Sequence, residues 1–329
     1  MTDLFSQEEL RQMASRWLPA LRVPRRFRIH TDTSNFLQVD YDDVALLGGK
    51  AFLIRHNAKE LRFGLDDEVK FWVKRAINLH DGSLRVIKLV FHEEFIRRIR
   101  GMEFRCFRSP EKEARILDLT SGHGNFMQGY SVKDEKGNIV RVIDFIRGKT
   151  LDLHIRSLEL DHQTYFYEYF PSVLDHFMEC IEAVHFLHGL GEIHGDIRRD
   201  HILIEKDTGR YLWIDFDYNF NQRRNMFGYD LFGLGNILAF LVGMGDITPA
   251  NLKTEEHPAL HRLSEDDLNI IFRNRLVNLR RIYPYIPESL NRVLMHFSVG
   301  AERFYENTDQ LIEDLEEFRA GKEYGASHS

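Results

Sequence analysis

The chain has 329 residues, 43% of them apolar and 29% charged, with a net charge of −7. This length predicts two domains or lobes with enough core to fold without staples, and the acidic balance without a polybasic tail excludes wholesale nucleic-acid binding. Two cysteines, Cys106 and Cys180, far apart and without a CxxC, exclude a disulfide framework or a thiolate metal site.

The first 17 residues alternate charged and apolar groups, unlike a secretory signal. The longest apolar run, Leu231 to Met244, contains Asn236 and is too short to span a bilayer. A cytoplasmic enzyme or regulator is the expectation. Residues 5 to 18 predict an amphipathic helix, with Ser6 and Glu9 at capping-box spacing and Leu10, Met13, Trp17 and Leu18 along one side. The pattern is irregular from Arg25 to about Ala45, so residues 1–45 are expected to form an accessory extension.

From Lys50 to Leu89 the pattern alternates, and His80-Asp81-Gly82-Ser83 lies between two apolar-alternating runs, the signal of a hairpin. A basic, aromatic stretch follows, with Arg97, Arg98, Arg100, Arg105 and Arg108. Such a run is usually a solvated face. Ser109 as N-cap with Pro110 in the first turn then opens a helix that stops near Gly122-His123-Gly124-Asn125. Strands are expected over 126–132 and 139–146, and Arg147-Gly148-Lys149-Thr150 breaks the pattern as a lobe boundary. Beyond it, helices are predicted over 171–190, 229–243, 264–282 and 287–318, with a frayed tail over 321–329.

The most specific stretch is Ile193-His194-Gly195-Asp196-Ile197-Arg198-Arg199-Asp200-His201, followed by an apolar strand, a turn, and Trp213-Ile214-Asp215-Phe216-Asp217. Carboxylates presented at strand ends suit metal and phosphate chemistry. The spacing resembles the catalytic loop and metal loop of protein kinases, His-Arg-Asp-x-x-x-x-Asn followed by Asp-Phe-Gly. Taken alone, Lys88 is a solvated strand lysine and Glu113 a surface residue. In order, however, Val86-Ile87-Lys88 and Glu113 match that family's strand lysine and helix glutamate. Asp230 resembles the Asp that begins the buried central helix and braces the loop. Residues 286–318 resemble the last two helices of bacterial eukaryotic-like Ser/Thr kinases, so the resemblance covers about 46–320.

The resemblance implies an α+β, bilobal protein-kinase-like fold: an N-lobe with a small antiparallel sheet over 46–147, a helical C-lobe over 148–320, and a flexible tail. It implies ATP and Mg²⁺ or Mn²⁺ as cofactors. Lys88 would hold the nucleotide phosphates and Glu113 would hold Lys88. Val86 and Leu203 would be the ceiling and floor of the adenine slot, with Asp144, Phe145 and Ile146 as the hinge and Ile143 as gatekeeper. Asp196 would orient the acceptor hydroxyl or take its proton, Arg198 would neutralise the transferred group, and Asp215 would bind the metal.

Four departures qualify this. Gly64-Leu65-Asp66-Asp67-Glu68-Val69 keeps one glycine where three are usual and sets carboxylates where phosphates would lie. His201 replaces the second metal-binding Asn. It either ligates the metal, an imidazole suiting Mn²⁺ or Zn²⁺ better than Mg²⁺, or packs and hydrogen-bonds with Asp196. Asp217 replaces the Gly of Asp-Phe-Gly, a change similar to lipopolysaccharide-sugar kinases, while His-Gly-Asp resembles aminoglycoside and choline phosphotransferases. Only 15 positions separate Asp215 from Asp230, so the peptide-docking segment is nearly absent. His185 and His188, near His194 in sequence, suggest a metal cluster, but His188 matches the Leu-His that commonly precedes the loop. The leading expectation is transfer of the ATP γ-phosphate to a protein Ser/Thr hydroxyl. The alternatives are a pseudokinase scaffold and a kinase of a small-molecule sugar or lipid hydroxyl.

Overall fold

The structure is a computed structural model and describes residues 5–60, 68–99, 102–220 and 227–321. Most of the acidic segment from Gly64 lies outside the described residues. In chain order the first elements are α1 (Gln7–Ser15), β1 (Ile29–His30), β2 (Val44–Leu47), β3 (Lys50–Glu60), β4 (Glu68–Asn78), β5 (Leu84–Lys88), β6 (Glu94–Ile99), β7 (Met102–Arg108) and α2 (Pro110–Leu119). Then come β8 (Gly129–Lys133), β9 (Ile139–Asp144), β10 (Gly148–Thr150), α3 (Leu151–Arg156), α4 (His162–Thr164) and α5 (Phe170–Gly189). The last are β11 (Ile202–Glu205), β12 (Tyr211–Trp213), β13 (Tyr218–Phe220), α6 (Gly228–Val242), α7 (Pro249–Thr254), α8 (Glu288–Met295) and α9 (Thr308–Ala320).

The chain divides into two compact units, one of residues 1–95, 107–123 and 127–146, the other of the remainder. The first is built on a seven-stranded sheet in the order β1-β2-β3-β4-β5-β9-β8. Side chains alternate between faces along each strand, and the register sorts them. Phe52, Ile54, Ala76, Ile87, Leu89, Val140 and Val142 fill one face and are all buried. Ala51 and Leu53 point to the other, where Leu10 and Ala14 of α1 cover them. The capping box predicted at Ser6 and Glu9 starts that helix. Val73, Lys88 and Arg141 share this second face farther along, because Val73 pairs with Lys88 and Lys88 with Arg141. The segment before β2, irregular in sequence, is fixed by polar ties: Thr33 donates its N–H and hydroxyl to Asp134 Oδ2, both at 2.7 Å.

One residue breaks the apolar pattern. Lys74 lies on the filled face, 1% exposed, and its ammonium donates to Asn57 Oδ1 at 2.8 Å. Burial pulls its pKa from 10.5 down to about 8, against the pull of Asp40 and Asp43. Between those two values the unfolded chain carries the proton and the folded chain does not, so stability rises with pH through that window. Lys74→Met is therefore expected to gain about 1–3 kcal/mol at pH 7, an advantage that shrinks above pH 8. Urea denaturation of both proteins at pH 7 and pH 10 checks this; an equal or less stable Met variant at pH 7 contradicts it.

The second unit holds the small sheet β10-β11-β12 and most of β13-β7-β6, with α3 to α9. In α5, Leu174, Phe177, Ile181, Val184 and Leu187 are buried along one stripe. In α6, buried residues occur all round, as its uniformly apolar sequence predicts. The continuous helix expected over 264–282 is absent. Short 3-10 turns at Glu265–Asp267 and Leu279–Arg281 flank a Leu268–Leu276 bridge instead. The cause is side-chain competition for backbone groups. Asp267 accepts from the Ser264 N–H and the Asn278 amide, and Asn269 Oδ1 takes the N–H groups of Ile271 and Phe272. Among the described residues, no helix is long and apolar enough to cross a membrane.

Candidate active site

In the first unit, Ser109 caps α2 by accepting the Lys112 N–H at 3.2 Å, and the helix turns Glu113 onto the second face of the sheet. Lys88 Nζ donates to Glu113 Oε1 at 2.6 Å, and Arg141 Nε donates to Oε2 at 3.0 Å. The Lys88 side chain is 5% exposed, Arg141 2% and Glu113 0%. The Lys88–Glu113 pair expected from sequence is thus formed, and Arg141 makes it a triad. Strand alternation could have found Arg141, which stands two places before Ile143 on the same face and opposite Lys88.

Val86 and Ile143 are register partners on that face. At the expected hinge, the N–H of Asp144 donates to Gln128 O at 2.8 Å and that of Phe145 to Leu84 O at 3.4 Å. The Asp144 carboxylate pairs with Arg85, and the Arg75 guanidinium lies 5.3 Å from the centre of the Phe145 ring. Ile146 follows, half-buried. Arg108 of the basic run is buried, donates to Glu93 at 2.8 Å and lies over Trp72. That residue is therefore no solvated charge.

In the second unit, Asp230 at the start of α6 is fully buried and receives the catalytic-type loop. His194 N–H donates to Oδ2 at 2.7 Å, Gly195 N–H to Oδ1 at 2.9 Å, and His188 Nε2 lies 3.1 Å from Oδ2. Burial pushes the Asp230 carboxyl up, but the hydrogen bond and charge of His188, with the Gly195 N–H, hold it below its ordinary value. Two glycines make this approach workable. Gly195 has φ +85°, a region costly for a side chain such as the Arg found there in protein kinases. Gly233 faces the loop, and a Cβ on it would come within 2.5 Å of Ile197.

Beyond the turn, Asp196 is buried and its N–H donates to His194 Nδ1 at 3.3 Å. His201 Nδ1 lies 2.9 Å from the Asp196 carbonyl oxygen, and Nε2 lies 3.5 Å from Asp215 Oδ2. Asp215 sits in the left-handed region at φ 66°, which Asp tolerates better than most residues. Strain of this kind concentrates at functional sites. Leu203 lies on β11, paired with Thr150 and Leu212. Arg198 Nε donates to Asp200 Oδ1 at 3.0 Å. Burial would raise the Asp200 carboxyl, but the charges of His201 and Arg198 lower it. His185 does not join the loop and instead lies 3.0 Å from the Thr308 hydroxyl.

The donor chemistry bears on a cation. A carbonyl oxygen can only accept, so His201 Nδ1 must carry the hydrogen it shares with Asp196. In the neutral ring Nε2 is then an acceptor facing a carboxylate, itself an acceptor. Two facing acceptors need a proton or a metal ion between them. His201 and Asp215 therefore fit a divalent cation, and the same geometry includes the His201–Asp196 hydrogen bond offered as the alternative in sequence.

No protein-family model matches the chain. Among curated proteins it is 25% identical over 177 residues to a Caenorhabditis elegans protein named as a ribosomal protein S6 kinase alpha-2, a match covering 53% of this chain and 20% of that protein. It is 28% identical over 140 residues to mouse (Mus musculus) sperm motility kinase 3A, covering 41% of this chain and 26% of the relative. The matched region thus spans about a quarter or less of these relatives' length. Among solved structures, two of the Mycobacterium tuberculosis PknI kinase domain cover 81% of this chain and 95% of theirs, at 12% and 13% identity with TM-scores of 0.47 and 0.45. The curated kinase relatives, with the ordered motifs of the two units, make this chain a member of the protein-kinase-like superfamily.

Proposed function

We propose that the chain is an ATP-dependent phosphotransferase acting on a protein Ser or Thr hydroxyl. The observation that carries this reading is the loop hung from Asp230, which brings the buried Asp196 and His201 together with the half-buried Asp215 in one polar cluster. Lys88, held by Glu113, is the group for the nucleotide phosphates, and Val86, Leu203 and the 144–146 segment are assigned to adenine. Asp215 and His201 would hold Mg²⁺ or Mn²⁺, which when bound neutralises charge on the phosphate oxygens. Asp196 orients the acceptor hydroxyl and takes its proton as the hydroxyl oxygen forms its bond to the γ-phosphorus and the bond to the β-phosphate oxygen breaks. Arg198 offsets charge on the transferred group.

Incubation with radiolabelled ATP and generic protein acceptors, in Mg²⁺ and separately in Mn²⁺, tests this. Incorporation is expected at Ser or Thr, falling by about 10²–10⁴-fold in Asp196→Asn, whereas ATP with metal still raises the melting temperature of that variant. Incorporation equal in the two proteins, or none in either with either metal, overturns the reading.

A further inference from the structure

Within the first unit, Arg141 is fixed at three points. Its Nε donates to Glu113 Oε2 at 3.0 Å, Nη1 to Ile139 O at 2.7 Å and Nη2 to Leu89 O at 3.4 Å. The two carbonyls belong to β9 itself and to the residue just past β5, so the backbone of the sheet sets the direction of the planar fork. Glu113 offers one oxygen to each cation, Oε1 to Lys88 and Oε2 to Arg141. The Arg141 contact therefore does not depend on the oxygen that Lys88 uses. Arg141 is 2% exposed, and withdrawing Glu113 would strand its charge away from water, which is strongly unfavourable.

The far end of α2 is pinned as well, again without Lys88. Gln128 accepts the Gly122 N–H at 2.7 Å and donates its amide to Thr120 O at 3.3 Å and His123 O at 3.1 Å, while its backbone carbonyl accepts the Asp144 N–H at 2.8 Å. In kinases, phosphorylation of an activation segment is one way to drive the glutamate-bearing helix into place. Between Asp215 and Asp230 this chain has no Ser or Thr to accept such a phosphate. We infer that Arg141 is a positioning residue for phosphoryl transfer: it holds Glu113, and α2 with it, on the sheet without help from Lys88 or nucleotide. Lys88 can then turn its ammonium to the phosphates while the Glu113 carboxylate stays neutralised and in place. This rests on the phosphotransferase reading above, and it makes the Lys88–Glu113 pair permanently assembled instead of switched.

The test compares the full chain with Arg141→Met, Arg141→Lys, Glu113→Gln and the double variant Arg141→Met with Glu113→Gln. In steady-state transfer from ATP, Arg141→Met is expected to lower kcat by about 10–100-fold, the scale of a shift on the order of 1 Å at a reacting group. With Glu113→Gln already present, the same change should cost less than about twofold, because a residue that acts through Glu113 then has nothing left to position. A mere brace of the sheet costs the same in both backgrounds. Arg141→Lys, which keeps the charge without the fork, should fall between wild type and Arg141→Met, and it carries both readouts if Arg141→Met does not fold.

Hydrogen exchange supplies the second readout. In the wild type the α2 amides are expected to be equally protected with and without a non-hydrolysable ATP analogue and Mg²⁺ or Mn²⁺. In Arg141→Met they should lose about tenfold or more of that protection without nucleotide and regain it with nucleotide. Equal losses in the two backgrounds, or wild-type α2 protection that rises about tenfold with nucleotide, overturn the inference. The two readings fail separately. Protection of α2 that depends on Arg141 in a chain that transfers no phosphate leaves the hold on α2 standing and the phosphotransferase reading lost, and transfer that Arg141→Met leaves unchanged does the reverse.

Discussion

Replacing Glu113 by Ala is expected to lower the melting temperature by about 6–20 °C. The carboxylate is fully buried and is shared by Lys88 and Arg141, whose side chains are 5% and 2% exposed. Each cation lost its hydration on folding, and Glu113 offsets both losses. Removing one partner of a buried ion pair costs about 3–5 kcal/mol, because the charge left behind stays desolvated. At about 2–4 °C per kcal/mol for a chain of this order of size, the stated range follows. The cause is the stranded charge and not lost volume. Lys88→Met and Arg141→Met made together with Glu113→Met should therefore recover most of the stability while abolishing nucleotide stabilisation. Differential scanning calorimetry of the single and triple variants decides it, and a single variant melting within 2 °C of wild type sinks the account.

That triad also shows how far the sequence carried the fold. Lys88 and Glu113 were legible because their residue types and order match a known pairing, and a buried salt bridge leaves few alternatives once the strand and helix are placed. Alternation puts Arg141 on the face of Ile143, but a strand arginine is equally suited to solvent until the register with Lys88 is known. The helix caps at Ser6 and Ser109 were legible for a local reason: the capping hydrogen bond closes within three residues. The segment 264–282 misled for the complementary reason. Its apolar spacing suits a helix, but Asp267 and Asn269 bind nearby N–H groups more effectively than helix carbonyls could, and spacing alone carries no trace of that.

The candidate site divides the same way. The catalytic-type loop stands out in sequence because its chemistry is concentrated in a few consecutive residues. The Arg199–Asp246 fork does not, because its two members lie 47 positions apart and meet only in the fold. Gly195 is instructive in both respects. In sequence it is a lost arginine; at φ +85° it is the residue that lets the loop turn its N–H groups onto Asp230.

Asp230 carries the other large effect. Its carboxylate is the acceptor for two backbone N–H groups of the loop and a neighbour of His188, all within 3.1 Å and all buried. Asp230→Ala removes these acceptors together, and at about 1–3 kcal/mol for each buried donor left unsatisfied the loss of stability is expected to reach about 3–5 kcal/mol. The loop that holds Asp196 shifts with it, and displacement on the order of 1 Å at a reacting group costs about 100-fold in rate. Asp230→Asn keeps one acceptor and should recover part of both losses. Because Asp230 touches no reacting atom, the loss should fall on kcat, with KM for ATP nearly unmoved. The sign of the pH dependence follows from the folded carboxyl lying below its ordinary 3.8. Its contribution is complete above that value and is lost as pH falls through the lower folded value. The stability gap between wild type and Asp230→Asn should therefore be widest near neutrality and close as pH drops below about 4. Urea denaturation from pH 7 to pH 3 measures it, and a gap that stays constant or widens toward acid would mean that the loop does not hang from an ionised Asp230.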